Sequence, residues 1–93
     1  MPFEKENLLD TYQWLDEPAS TRFRGVVTRR KFDRNSGDQM LLVINAYAVL
    51  CENFSVAEGQ MIEKYIHNRL PMEAISELTV VEWLINSFEQ NTN

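Results

Sequence analysis

The apolar positions of this chain crowd into its middle and thin out to helical spacing after it. Over residues 39–53, Met40, Leu41, Leu42, Val43, Ile44, Ala46, Tyr47, Ala48, Val49, Leu50 and Cys51 leave almost no polar face. A helix that is apolar all round must be enclosed on most sides, so this stretch predicts a central helix with Leu42 and Val49 among its core positions. Ser55-Val56-Ala57-Glu58 then reads as a capping box, in which the serine hydroxyl accepts from the third helical amide. The helix it opens carries Met61, Ile62, Tyr65, Ile66 and Leu70 at helical spacing, and Pro71 stops it. Met72 and Ile75 suggest one short helical turn. Thr79-Val80-Val81-Glu82 reads as a second capping box, followed by Leu84, Ile85 and Phe88 on one face, with residues 90–93 fraying.

The first third is less regular. Leu8, Tyr12 and Leu15 fall at helical spacing with Leu9 and Phe3 beside them, predicting a helix over 3–15 that Asp16-Glu17-Pro18 interrupts. Residues 17–33 fit a helix with Ala19, Phe23, Val26, Val27 and Arg30 on one face. They also fit a strand pair, because Gly25 and the Val26-Val27-Thr28 run favour extended chain. The helix is the preferred reading, since no partner strand is visible elsewhere. Asn35-Ser36-Gly37-Asp38 marks a loop. The sum is an all-α single domain over 1–93, a small bundle of four to five short helices around the central one. Only three glycines and three prolines, too few for the turns of a sandwich or barrel, support it.

Charge changes this picture in one place. Arg22, Arg24, Arg29, Arg30, Lys31 and Arg34 face one acid, Asp33, within residues 22–34, a local charge of +5. The whole chain carries −5, so the remainder holds −10. A cationic patch on an anionic body meets a partner or folds back on its own acids. An acidic protein surface is the expected partner. Nucleic acid is the alternative, with Phe23 and Phe32 interleaved among the cations for base stacking, although a −10 body repels a polyanion and nucleic-acid domains are usually basic overall. Trp14 and Trp83 each lie one step off an apolar stripe and are further candidate contacts, tryptophan being enriched at interface hot spots.

Catalytic chemistry has little to work with. His67 is the only histidine and Cys51 the only cysteine. No nucleophile elbow, phosphate loop or H-E-x-x-H is present. Glu63 and His67 form an i, i+4 pair that reads as an exposed helix pair. One cysteine allows neither an internal disulfide nor a thiolate cluster, and within its apolar run it reads as an inert buried thiol. Residues 33–38 begin like a calcium loop, but Asp38 and Ile44 stand where that loop needs glycine and glutamate. No catalytic residue, metal site or cofactor is therefore expected.

The stretch Leu50-Cys51-Glu52-Asn53-Phe54-Ser55-Val56-Ala57-Glu58 resembles part of the tellurite-resistance TerB-type domains, where a helix and an Asp-Gly turn lead into a Ser-x-x-Glu helix start. The resemblance implies metal binding, but Glu52-Asn53 departs from the Asp-Gly of that turn, and a shared capping box is the alternative source of the likeness. The reading is thus a non-enzymatic adaptor, inhibitor or regulator for protein–protein interaction. It is expected to be cytoplasmic, because no segment has signal-peptide or membrane-spanning character, and to form a homodimer that covers the central helix.

Overall fold

A computed structural model describes residues 3–14, 27–51, 54–71 and 76–89. These contain three α-helices: α1 (Gly37–Ala48), α2 (Val56–Arg69) and α3 (Glu77–Glu89). The expected four to five helices are therefore three among the described residues, and no strand longer than an isolated bridge accompanies them. No described helix is long and apolar enough to cross a membrane.

α1 is the middle element, packing against both α2 and α3. Ser36 caps it: the hydroxyl oxygen accepts from the Gln39 amide at 3.3 Å, so the predicted loop ends one residue before Gly37. Residues 37–46 are all buried. The helix ends earlier than its apolar run. Val49 closes it, the Leu50 amide turns back to the Tyr47 carbonyl, and Val49 and Leu50 stand 70% and 61% exposed. Leu42 is thus a core residue as expected and Val49 is not: among the described residues nothing buries the end of the run, and hydrophobicity alone does not report cover. α2 begins at the predicted cap, with Ser55 Oγ accepting from the Glu58 amide at 3.2 Å, and stops at Arg69 before Leu70 and Pro71. α3 begins two residues before the predicted cap at Thr79. Ser76 takes that role, its Oγ accepting from the Thr79 amide at 3.2 Å.

The largest departure is the N-terminal arm. The helix expected over 3–15 is one 3₁₀ turn, Lys5–Asn7, closed by Glu4 and Asn7. Beyond it, amides that a helix would bond internally go elsewhere. Leu9 and Asp10 donate to the Glu63 carboxylate, and Gln13 donates to the Asn35 carbonyl. Of the element expected over 17–33, residues 27–33 are extended chain and turn, and 17–26 lie outside the described residues, as do Met72 and Ile75. Thr28 and Arg30 offer their carbonyls to the Leu78 and Glu77 amides, satisfying the first turn of α3, and Lys31 bridges to Ser76. In the same way the Gln13 carbonyl accepts from the Gly37 amide at the start of α1.

Two glycines let the arm press close. A Cβ on Gly59 would overlap the ring of Phe3, and one on Gly37 would overlap the indole of Trp14. Phe3 is buried against α2 and meets Phe54 edge-on at 6.5 Å between ring centres. Its backbone is held by α1, since Asn45 Oδ1 accepts from the Phe3 amide at 2.7 Å and Nδ2 donates to the Phe3 carbonyl at 2.9 Å. At the far side of the bundle Tyr65 of α2 stacks on Trp83 of α3 at 4.9 Å and meets Phe88.

Leu42→Ala is expected to destabilise the fold by about 2 to 4 kcal/mol, and Val49→Ala by no more than about 0.5 kcal/mol. Urea midpoints of the two variants check the corrected helix end. Gly59→Ala should cost about 1 to 3 kcal/mol by displacing Phe3. In Phe3→Ala, where no ring opposes the new methyl, the same glycine change should cost much less.

Candidate functional site

Two buried carboxylates organise the polar chemistry. Each belongs to a helix, and each holds a separate stretch of the arm. Glu77, in the first turn of α3, is fully buried. Its Oε1 accepts from the Thr28 amide and hydroxyl, both at 3.1 Å. Its Oε2 accepts from Arg30 Nε at 2.8 Å and from Gln39 Nε2 at 2.9 Å, with Arg30 Nη2 at 2.7 Å. Gln39 of α1 extends the network by donating to the Lys31 carbonyl at 2.6 Å and accepting from the Asp33 amide at 2.9 Å. Burial disfavours the Glu77 charge, but the donors from Gln39, Arg30 and Thr28 outweigh it and hold the carboxyl below its ordinary pKa.

This network divides the predicted cationic patch. Arg30 is committed to Glu77. Arg34 Nη2 donates to the Leu70 carbonyl at 2.9 Å and is 3.4 Å from that of Pro71, so it caps the end of α2 where the helix dipole favours a cation. Arg29 and Lys31, flanking Arg30, are exposed. Arg22 and Arg24 lie outside the described residues. Phe32 is buried in the core, so it is not available to stack on bases. Trp14 is half-buried, with Lys5 Nζ 4.3 Å above its ring, and Trp83 is half-buried against Tyr65. Both tryptophans thus spend one face on contacts within the chain.

The second assembly forms around Glu63 of α2, also fully buried. Oε1 accepts from the Leu9 amide at 2.8 Å; Oε2 accepts from the Asp10 amide at 3.1 Å and from the Tyr12 hydroxyl. The same hydroxyl lies 2.8 Å from His67 Nε2, and the Tyr12 and His67 rings stack at 5.8 Å. Asp10 Oδ2 is 3.4 Å from that nitrogen. Burial, then the Glu63 hydrogen bond and charge, push the Tyr12 phenol far above its ordinary pKa, so it stays protonated and donates to Glu63. The sequence places Glu63 and His67 on one helical face but reads them as solvated; that Asp10 and Tyr12 join them is set by the path of the arm. Cys51 is partly buried, its Sγ 3.6 Å from the Tyr47 carbonyl; burial raises its pKa, in keeping with an inert thiol.

No protein family, curated protein or solved structure matches this chain.

Glu77 gives a pH dependence with a definite sign. Its folded-state pKa is depressed, so its contribution is complete above the unfolded value of about 4.3 and is lost as pH falls through the folded value. Glu77→Gln should cost about 2 to 3 kcal/mol at pH 7, less than the roughly 3 to 5 of a fully buried pair because Arg30 is partly hydrated. The stability gap between wild type and variant should narrow on acidification below about pH 4. Urea titrations of both proteins from pH 7 to pH 3 measure that gap.

Proposed function

We propose that this chain is a non-catalytic binding module that engages an acidic surface of another protein through the cationic edge carrying Arg29 and Lys31. The observation supporting this reading is the fixed backbone beneath that edge. Thr28 and Arg30 are clamped to Glu77, and the Lys31 carbonyl to Gln39, while the two neighbouring cations are left exposed. An edge already ordered before binding loses less conformational freedom when it docks. It also stands on a strongly anionic body, which disfavours polyanions as partners but still permits short-range pairing with a local acidic patch. The buried position of Phe32 removes one of the two aromatic side chains that would stack on bases, and Phe23, the other, lies outside the described residues. Residues 37–46 of the central helix are enclosed within the chain, and Val49 and Leu50 are the part of its apolar run left for a second copy to cover.

The double reversal Arg29→Glu, Lys31→Glu should leave stability nearly unchanged, both side chains being exposed. Wild type should bind a fluorescent poly-glutamate peptide with an affinity that falls as salt rises, and the double variant should lose that binding mainly through slower association. A generic DNA duplex is the competing probe. Tighter binding to the duplex, lost in the double variant, would establish the nucleic-acid alternative instead, and failure to bind either probe would show that the edge is not an interface.

A further inference from the structure

Glu63 and Glu77 perform the same structural task with unequal charge compensation. Glu77 has the Arg30 guanidinium against it. Glu63 is as deeply buried, yet its partners are two backbone amides and a phenol, all neutral. Among the described residues no lysine or arginine pairs with it. A second carboxylate, Asp10, has an oxygen within 4.8 Å of it and adds to the negative charge. Buried charges are ordinarily paired or bound to metal ions. Among the described residues this site has two carboxylates, one imidazole and no fixed cation.

The donor atoms are already gathered. One oxygen each from Asp10 and Glu63 and a ring nitrogen of His67 lie within 4.8 Å of one another. We propose that Asp10, Glu63 and His67 bind a divalent transition metal, zinc being the ion this nitrogen-and-two-oxygen set fits best. Zinc accepts imidazole and carboxylate donors at about 2.0 to 2.2 Å and takes three protein ligands plus water where a site opens to solvent. Magnesium requires nearly octahedral oxygen ligation and gains little from an imidazole.

Donors bound to one ion at those lengths stand at most about 4.4 Å apart. Asp10, with Oδ2 already 3.4 Å from His67 Nε2, is at 60% exposure the least enclosed of the three ligands and has the most room to adjust. The other two are held, Glu63 by three hydrogen bonds and His67 by its stack on Tyr12, and on binding His67 Nε2 exchanges its contact with the phenol oxygen for the ion. His67 remains 29% exposed, which leaves an entry path and a position for water. Binding takes the neutral imidazole with its proton on Nδ1, so that the Nε2 lone pair turns to the ion. Tyr12 keeps its own proton and continues to donate to Glu63, orienting a ligand from outside the coordination sphere. Because Asp10 belongs to the arm and the other two ligands to α2, the ion would staple one to the other, and binding would add directly to fold stability.

The test uses the untagged full chain with zinc chloride. Calorimetry should show one zinc per chain. The melting temperature should rise by roughly 10 °C at free zinc a hundredfold above its Kd. His67 is the sole histidine, so its imidazole resonances report ligation without ambiguity. Asp10→Asn preserves the backbone amide that reaches Glu63 and should fold normally, yet weaken zinc binding by at least about tenfold, as should His67→Gln. Magnesium chloride should give no shift. If His67→Gln does not fold, Asp10→Asn decides alone. Absence of heat and of thermal shift at millimolar zinc would overturn the proposal. So would zinc affinity unchanged in Asp10→Asn, or binding abolished by Cys51→Ser, which would place the ion on the thiol.

Discussion

Each of the three helices carries a buried hydrogen-bonding side chain that captures a piece of the N-terminal arm, α1 adding Gln39 as a second, and the fold depends on those captures. Asn45 of α1 pairs with both backbone groups of Phe3. Glu63 of α2 receives two consecutive amides and the Tyr12 hydroxyl. Glu77 of α3 receives Thr28 and Arg30. The reason is the helix in the middle. α1 is apolar nearly all round, and α2 and α3 do not wrap it, so the remaining cover must come from irregular chain. Irregular chain brings backbone amides against the buried faces of the helices, and one left both buried and unsatisfied would cost on the order of 1 to 3 kcal/mol. Carboxylates and an amide aimed from the helices supply the partners that a sheet would otherwise provide.

This arrangement explains which elements could be read from the sequence. α2 was legible at both ends because its signals are local: a serine whose hydroxyl caps the third amide, and a proline that cannot continue the helix. α1 was legible as a buried helix but not in its length. Val49 and Leu50 continue the apolar pattern past the point where anything covers them, and cover is a property of the other elements. The arm was misread because Leu8, Tyr12 and Leu15 keep helical spacing. Asn7, Asp10 and Thr11 are poor helix formers, and a fully buried carboxylate fifty residues away competes for the amides. Glu63 and Glu77 were invisible as organising residues for a related reason. A glutamate on a helix is usually solvated, and nothing local announces that these two point inward.

The cationic segment illustrates the same division between local and distant information. Its sequence presents Arg29, Arg30, Lys31 and Arg34 as equivalent charges. The fold separates them by what each faces. Arg30 neutralises a buried carboxylate, and Arg34 completes the hydrogen bonding at the end of α2. Composition therefore overstates the outward charge of this region. Internal pairing holds for Arg30 and Arg34, while Arg29 and Lys31 stay exposed. Alternation along extended chain is what allows it, since neighbouring side chains point to opposite sides of the backbone.

Both proposed sites are carried by the arm as well as by the helices. Asp10 and Tyr12 belong to its first part and Arg29 and Lys31 to its last, with Gln13 joined to the start of α1 between them. The helices supply the rigid half of each site, namely Glu63 and His67 in one and Glu77 and Gln39 in the other. Such a division makes site geometry a consequence of how firmly the arm is docked. A change that loosens Phe3 from its seat over Gly59 acts directly on the segment that delivers Asp10 to Glu63. Glycine at 59 is then as much a requirement of that polar cluster as the carboxylates themselves, although it contributes no donor atom to it.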